Sequence, residues 1–582
     1  MSKINVIDIE TYGRDKLIPY CCCIIYKNKK FVFYGESCIE KMFEYVFNYC
    51  DDGTIFFAHN LTFDGLVLLN KLGNDVEISE NGTLLKNCSI YSLTFKKNNK
   101  IIKYHCSAKI LPLPLKDIAF RLKLPLKQEV NHDLINVENY KNIEIKNTII
   151  DYCLRDVLIT QKFLLKINDE LKNIYPGWWI WCYTISGLAL KIFDKNFNKK
   201  IKTSLSIAED NCIRPAYYGG RCEVFGNPIK GDNIFHFDFS GMYTNRLKEK
   251  FPYGDFSIEI EPNDIEKIGF YSVVVDSNIN LIPILPYRCK KTKKLLFPNG
   301  VFSGLYWHEE LKLFIENGGK IKKIYWAAVF EKEDYVFKDF SEFCIKNRGK
   351  SDLNKILWKL IPNSFIGRLG LRNDYEKTII VNDEDYNPLN YDLICDKKIN
   401  NQWLVRINTI DKDTKTNNNV IYPSIITSKA RILWWKNAQE VIKNGGRLLY
   451  CDTDSIFVSY NRNVIGEEHG DIKWIDNGVD TIIKDGCFAG NKVYSIVTDD
   501  KNIVKIKGVK TDKIDFDEFK NKFYESESIN FTFDLFEKKL FNMRISEIIK
   551  KIKFSGYDKR IFDSNKKSTK PLYIIEDTLL NK

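Results

Sequence analysis

The sequence predicts a multidomain protein of mixed α/β and α+β class, and three observations predict it. A chain of 582 residues exceeds what one ordinary core can hold. Its 44% hydrophobic and 28% charged content is that of a globular protein. Strand-like and helix-like segments alternate over two stretches, 1–170 and 230–515, with no repeat of solenoid length. Lys and Arg outnumber Asp and Glu by 88 to 76, a formal charge of +12, which favours a polyanionic partner met by basic faces.

The first stretch reads as strands over 4–9, 21–26 and 31–34, a helix over 40–49, a strand over 55–58 and a helix over 63–72. A long amphipathic helix follows over 145–167, and Pro176, Gly177, Trp178 and Trp179 punctuate the end of the unit. Residues 411–419 are loop-like, and 516–582 read as short helices and basic segments. The sixteen cysteines show no paired CxxC spacing. Cys21, Cys22 and Cys23 lie in an apolar run where at most alternate residues share a strand face, so they predict buried thiols of a reducing compartment, not a disulfide frame or zinc site. The start MSKINVIDIE lacks the basic and apolar regions of a signal peptide, and no run of about 18 apolar residues offers a membrane span.

The most informative run is Tyr450-Cys451-Asp452-Thr453-Asp454-Ser455, with Leu448 and Leu449 before it and Ile456, Phe457 and Val458 after. It predicts a strand, a tight turn bearing two aspartates and a returning strand. Carboxylates so placed suit Mg²⁺, and a metal pair about 3.5–4 Å apart can clamp the attacking and leaving oxygens of a phosphoryl transfer. A second carboxylate set lies in the first stretch. Asp8 and Glu10, in DIE, share one face of a strand. Asn60, Phe63 and Asp64 form NLTFD. Tyr152 and Asp156, in YCLRD, are four apart on one helix face. Asp8, Glu10, Asp64 and Asp156 can bind two metals, with Tyr152 orienting an attacking water, Asn60 and Phe63 holding a terminal nucleotide and Lys127 stabilising the scissile phosphate.

In this order, DxE, NxxxFD and YxxxD resemble the three motifs of DEDD-type 3′–5′ exonucleases, the proofreading domain of family B DNA polymerases. The resemblance implies a ribonuclease-H-like fold here. The polymerase motifs of that family follow. HFDFSGMY resembles DxxSLYP, which makes Asp238 the catalytic carboxylate paired with Asp454 in binding metal, with Asp452 beside them and Tyr243 beneath the incoming sugar. The chain departs from that pattern at Gly241 and Thr244. KLIPNSFIG resembles KxxxNSxYG of the fingers helix. It implies Lys359 and Asn363 for the incoming triphosphate, Ser364 and Gly367 beside the nascent base pair, and Ile366 where the family has Tyr. Pro362 should kink that helix. Lys346 is a further phosphate-binding candidate. Lys492 and Tyr494 form KxY, expected on one strand face and holding the primer terminus. Tyr217, Tyr218, Gly219 and Gly220 match YxGG, which touches template, its glycines admitting phosphates.

The resemblance implies a DNA-directed DNA polymerase with proofreading, two Mg²⁺ per active site (Mn²⁺ a substitute), and primer, template and dNTPs as partners. With the first motif at residue 8, the compact layout is similar to the protein-primed polymerases of small bacteriophages and linear plasmids. Gaps of 121 positions from Asp238 to Lys359 and 93 from Lys359 to Asp452 leave room for two insertions. The implied layout is an exonuclease domain over 1–175, a linker and first palm segment over 176–250, and a first insertion over 251–335. The last would contact a priming protein through Arg288–Lys294. Fingers follow over 336–372, then a strand-displacing second insertion over 373–420, palm over 421–515 and thumb over 516–582. The 11 Lys and Arg against 3 Asp and Glu over 538–570 suit a thumb that grips duplex phosphates. A monomer or a heterodimer with the priming protein is expected, in the cytoplasm of a phage-infected bacterium or in mitochondria. The alternative is a nucleic-acid-primed family B polymerase. A stand-alone exonuclease or a non-catalytic binding protein fits two intact carboxylate sets poorly.

Overall fold

The computed structural model describes residues 4–13, 17–86, 89–125, 142–172, 174, 182–198, 200–229, 234–349, 351–372, 376–408, 418–459, 472–474, 483–499, 501–509, 514–539 and 542–576. Lys127 and the 176–179 stretch lie outside the described residues.

The first unit is built on an eight-stranded sheet. Its central strand Asn5–Tyr12 runs parallel to Thr54–Ala58 and antiparallel to Ile18–Tyr26. Alternation divides the side chains of Ile18–Tyr26 between two cores. Cys22 and Ile24 pack with the helices Cys38–Tyr49 and Leu61–Asn70. Cys21, Cys23 and Ile25 pack beneath the helix Ile143–Leu171 on the other face. That helix begins where Asn142 caps the amides of Glu144 and Ile145. The expected strands and helices of this unit are all present.

The second unit has a five-stranded sheet in the order Ile472–Trp474, Ile234–Phe239, Ser455–Ser459, Arg447–Asp452, Cys222–Val224. The helix Ile421–Lys443 supplies Ala430, Trp434 and Ala438 to its core. The helices Lys338–Arg348 and Asp352–Leu369 pack on Ile185–Asn196 through Phe193, Phe340 and Phe365. The Asp352–Leu369 helix carries Pro362, buried, inside one continuous element.

Between these segments lie two further sheets. One contains Ser257–Ile260, Lys320–Val329, Gly269–Ser277 and Asn299–Trp307. The other has Gln402–Asn408 between Glu376–Asn382 and Leu393–Ile399, and it docks on the first unit. Ile399 and Leu404 enter that unit's core, and the Gln402 side chain bonds both the amide (2.7 Å) and the carbonyl (3.2 Å) of Ile78.

The C-terminal stretch differs most from expectation. Among the described residues it holds the helix Phe516–Tyr524 and a short 3-10 turn at Phe554–Gly556, and otherwise strands, chiefly the hairpin of Ser528–Lys539 and Asn542–Lys553. Ile529, Phe531, Phe533 and Leu535 alternate with polar residues, a two-residue period hidden in the sequence by the basic run around it. The 516–582 segment is also not a single unit: its strand Tyr573–Ile575 pairs with Asn299–Val301 and completes the sheet of the 251–335 segment.

Candidate active sites

The turn that carries Asp452 and Asp454 is built as its sequence implies. Arg447–Asp452 and Ser455–Ser459 pair antiparallel, and Asp454 N–H donates to the Asp452 carbonyl at 2.8 Å. Thr453 takes a left-handed φ of +64°, which strains a β-branched residue. Asp238 lies on the neighbouring strand opposite Ser455, and Phe239 N–H donates to the Asp454 carbonyl at 2.7 Å. Burial, and then the charge of Asp454, push the Asp238 carboxyl up to about 6, against the pull of Lys359 and Arg348. Burial raises Asp454 likewise. Two half-buried carboxylates that repel each other and face fixed cations form a donor set suited to divalent metal.

Around them stand the other predicted residues. Lys359, Asn363 and Gly367 are exposed along one face of their helix, with open space over Gly367, and Ser364 is half-buried beside them. Ile366 points the other way into the core, so no side chain replaces the family's tyrosine at that surface. Gly241, with φ +64°, opens the short helix Met242–Arg246, a conformation glycine takes without strain. Thr244 is buried there and its carbonyl accepts from the Ser341 hydroxyl. Tyr243 lies half-buried, its hydroxyl pushed up to about 12 by burial. Lys346 is exposed on its helix. Arg348, two residues on, is the cation that faces the site: its field reaches Asp238, and its Nη1 lies 3.5 Å from where a Gly241 Cβ would stand. The sequence signal for Arg348 was its place in the basic run after Lys346, at the C-terminal end of the helix.

Lys492 and Tyr494 do not share a strand face. The strand begins at Val493, and Lys492 sits in the turn before it with φ +56°. The Tyr450 hydroxyl accepts from its amide at 2.9 Å, and its ammonium bonds both Asp452 oxygens at 2.9 and 2.6 Å. Tyr494 packs against Tyr450 and Phe457.

The YxGG segment braces the turn that carries Asp452 and Asp454. Thr453 N–H donates to the Arg221 carbonyl at 2.7 Å. A Cβ on Gly220 would meet Thr453 Cγ2 at 2.8 Å, whereas one on Gly219 would meet only Leu295 Cδ2 at 4.0 Å. Tyr217 packs its ring against Gly370. Sequence reasoning missed the buried ion pairs behind this segment. Arg431 grips Glu310 with two bonds of 2.7 Å and donates to the carbonyls of Tyr218 (2.9 Å) and Gly219 (3.2 Å). Glu223 lies between Arg221 (3.0 Å) and Arg560 (3.6 Å).

All five basic residues of the 288–294 cluster are exposed, and three of them make contacts within the chain. Lys290 pairs with Glu576 at 3.2 Å, Lys294 with Asp558 at 2.7 Å, and Arg288 donates to the Tyr217 carbonyl at 3.4 Å. Lys291 and Lys293 are exposed.

In the first unit, ligand atoms of Asp8, Glu10 and Cys153 lie within 4.8 Å of one another. Asp64 is buried and accepts from the amide of Ile9, between Asp8 and Glu10, at 3.0 Å. Burial, with the charge of Asp156 adding to it, pushes Asp64 up to about 8. Asp156 is buried one helical turn beyond Tyr152, which is half-buried. Asn60 is exposed, in a left-handed conformation at the N-terminus of its helix, and Phe63 is half-buried one turn on. Asp8 and Glu10 thus stand together at the strand end, with Asp64 bonded to the residue between them and Asp156 acting on Asp64, a carboxylate set suited to divalent metal.

Among the described residues, no helix is long and apolar enough to cross a membrane. The family model of DNA polymerase type B, organellar and viral, matches residues 47–444. A probable DNA polymerase of Podospora anserina is 27% identical over 512 residues, covering 77% of this chain and 42% of the relative. A probable DNA polymerase of Neurospora intermedia is 24% identical, covering 84% of this chain and 56% of its own length, so this chain spans about half the length of these fungal relatives. The DNA-directed DNA polymerase of Enterobacteria phage PRD1 is 24% identical, with 83% of this chain and 79% of that one covered. Phi29 DNA polymerase complexed with primer-template DNA and incoming nucleotide superposes with a TM-score of 0.73 at 18% identity, over 95% of this chain and 100% of that one. That likeness shows the expected multidomain fold.

Proposed function

We propose that this chain, which belongs to the organellar and viral type B DNA polymerases, is a DNA-directed DNA polymerase with a separate 3′–5′ proofreading site, acting in protein-primed replication of a linear DNA element. The observation that carries the reading is the pair of independent carboxylate sets, Asp238 with Asp454 on adjacent strands and Asp8, Glu10, Asp64 and Asp156 around one strand end. Divalent metal, Mg²⁺ by its preference for oxygen ligands, would be held by these carboxylates and would supply charge neutralisation and an activated oxygen nucleophile.

The chain's own residues do the rest. Lys359 and Arg348 approach Asp238 from the helix side and neutralise the triphosphate of an incoming nucleotide, beside Asn363. Tyr243 forms the floor under its sugar. Lys492, resting on Asp452, lies where a primer-terminal phosphate would exchange for that carboxylate. Tyr217 borders the template. In the first unit, Phe63 and Asn60 hold the frayed 3′ nucleotide and Tyr152 orients water toward its phosphate. The Glu376–Asn408 sheet, docked on the first unit, suits a wall that parts the template duplex. Relatives from fungi and from bacteriophages accord with both compartments expected from the sequence. The test is a pair of substitutions. Asp454→Ala should abolish primer extension and keep 3′–5′ degradation; Asp8→Ala should do the reverse. One substitution removing both activities from a folded protein would overturn the two-site reading. Labelled dNTP that never becomes attached to any protein of the same element would overturn protein priming.

A further inference from the structure

Three cysteines meet beneath the first carboxylate set. Cys21 and Cys23, two apart on the strand Ile18–Tyr26, turn the same way, and their sulfurs are 4.0 Å apart. Cys153, on the helix Ile143–Leu171, comes down on them so that all three sulfurs lie within 4.8 Å of one another. No other three cysteines come this close among the described residues. A thiolate-bound zinc has sulfurs about 2.3 Å from the metal, hence about 3.8 Å from each other; Cys21 and Cys23 are already near that spacing, and no pair of the trio has to close by more than about 1 Å. Cys153 also belongs to the trio with Asp8 and Glu10, and its thiol donates to the Asp8 carbonyl at 3.4 Å. The thiols are fully buried, and Asp8 and Glu10 are half-buried.

A second observation points the same way. The pairing of Asn5–Tyr12 with Ile18–Tyr26 slips between Glu10 and Thr11: Glu10 faces Cys21 and Thr11 faces Pro19, which leaves Tyr20 in a bulge. Tyr20 thereby joins Cys21 and Cys23 in the same core. It is fully buried, its hydroxyl has no hydrogen-bond partner among the described residues, and it lies within the fields of Glu10, Cys21 and Cys153. A trio of buried cysteines alone would be small apolar filling. A stranded hydroxyl beside them is a donor waiting for a charged acceptor.

We propose that Cys21, Cys23 and Cys153 form a site for a thiophilic divalent cation of the zinc type, with Glu10 as fourth ligand, and that filling it withdraws Glu10 from the proofreading carboxylates. The three thiols release their protons to solvent as the cation enters, and nothing is oxidised or reduced. The consequence for degradation rests on the exonuclease reading; the binding itself does not.

The test uses the full chain, stripped of metal and titrated with Cd²⁺, whose thiolate complexes absorb in the ultraviolet. One equivalent should bind with thiolate absorption. Cys23→Ala should lose the band and bind more than about tenfold more weakly; Cys21→Ser repeats the test should the alanine variant misfold, with primer extension as folding control. In saturating Mg²⁺, one equivalent of Cd²⁺ should lower 3′–5′ degradation by the parent at least about tenfold, leave Cys23→Ala degrading as before, and leave extension unchanged in both. No thiolate absorption in the parent, or equal absorption in Cys23→Ala, overturns the site. Binding with undiminished degradation overturns the role of Glu10. A parent that degrades no DNA under any condition refutes the exonuclease reading, and the absorption still decides the metal site.

Discussion

Gly220→Ala tests whether the YxGG segment works by holding the catalytic turn or by admitting DNA. An added Cβ would stand 2.8 Å from Thr453 Cγ2 and 3.2 Å from both its Cα and Cβ, against about 3.5–4.0 Å for carbon atoms at rest. Relief requires one side to move by roughly 0.5–1 Å. Neither side is loose: Thr453 N–H is bonded to the Arg221 carbonyl, and Arg431, itself paired with buried Glu310, holds the carbonyls of Tyr218 and Gly219. The expected cost is about 1–3 kcal/mol of stability. A turn displaced by that distance moves Asp452 and Asp454 off their geometry, worth about 100-fold in rate. Gly219→Ala is the control, because its Cβ meets nothing nearer than 4.0 Å and neither glycine needs a left-handed backbone. Gap-filling extension, single-strand degradation and melting temperature are measured on both variants. Gly220→Ala should lose extension and keep degradation, while Gly219→Ala extends within about twofold of the parent. Equal losses in the two variants would return both glycines to phosphate contact, and undiminished extension by Gly220→Ala would refute the brace altogether.

Tyr243→Val should raise the ratio of ribonucleotide to deoxynucleotide incorporation by on the order of tenfold or more, since the floor beneath the sugar is removed while the carboxylates stay; an unchanged ratio refutes that role. His236, half-buried and stacked 3.8 Å from the Phe457 ring, has its pKa lowered to about 4 by desolvation. Its folded value lies below its unfolded one, so its contribution to stability is present above about pH 6.5 and is lost as pH falls toward 4, by at most ~3 kcal/mol. Melting of His236→Phe against the parent across that window should show the parent losing more, and parallel curves would contradict it. Deleting residues 376–408 should abolish strand displacement on nicked duplex yet leave gap filling, which serves as folding control. The first insertion calls for a lighter change, because deleting it would strand Tyr573–Ile575: Lys291→Glu with Lys293→Glu should weaken nucleotide attachment to a priming protein and spare extension of a DNA primer, and equal priming would refute the contact.

What the sequence made legible is what short periods encode. The strand-turn-strand of residues 447–459, the helix face of Lys359, Asn363 and Gly367, and the strand bearing Asp8 and Glu10 each follow from spacing within about ten residues. What it concealed depends on contacts between distant segments. Arg431 meets Glu310 across 121 positions, and the Tyr557 hydroxyl accepts from the Val224 amide across 333. Cys153 reaches Asp8 across 145. Lys492 was misplaced for a related reason. The pattern KVYSI reads as a strand from its first residue, but the Tyr450 hydroxyl and Asp452 capture the backbone and side chain of Lys492 and turn it out of the ladder. In the 528–553 hairpin, the two-residue alternation is short and is masked by the basic residues of its second strand.

Two left-handed residues with side chains, Thr453 and Lys492, flank Asp452 from opposite segments. Each such conformation costs on the order of 1–2 kcal/mol, and strain of this kind persists only where the surroundings over-determine it. Here they do. Thr453 is held by the Arg221 carbonyl and wedged against Gly220; Lys492 is held by the Tyr450 hydroxyl, from the very strand that leads into the turn. The buried Arg431–Glu310 and Arg221–Glu223 pairs sit behind both anchors and resist their relaxation, because separating either pair would leave an uncompensated charge in the core. The turn is thereby fixed before substrate arrives. Asp238 and Asp454 then face each other at a separation set by strand pairing instead of by side-chain choice, the arrangement that lets carboxylates of like charge be held together for the cations they need.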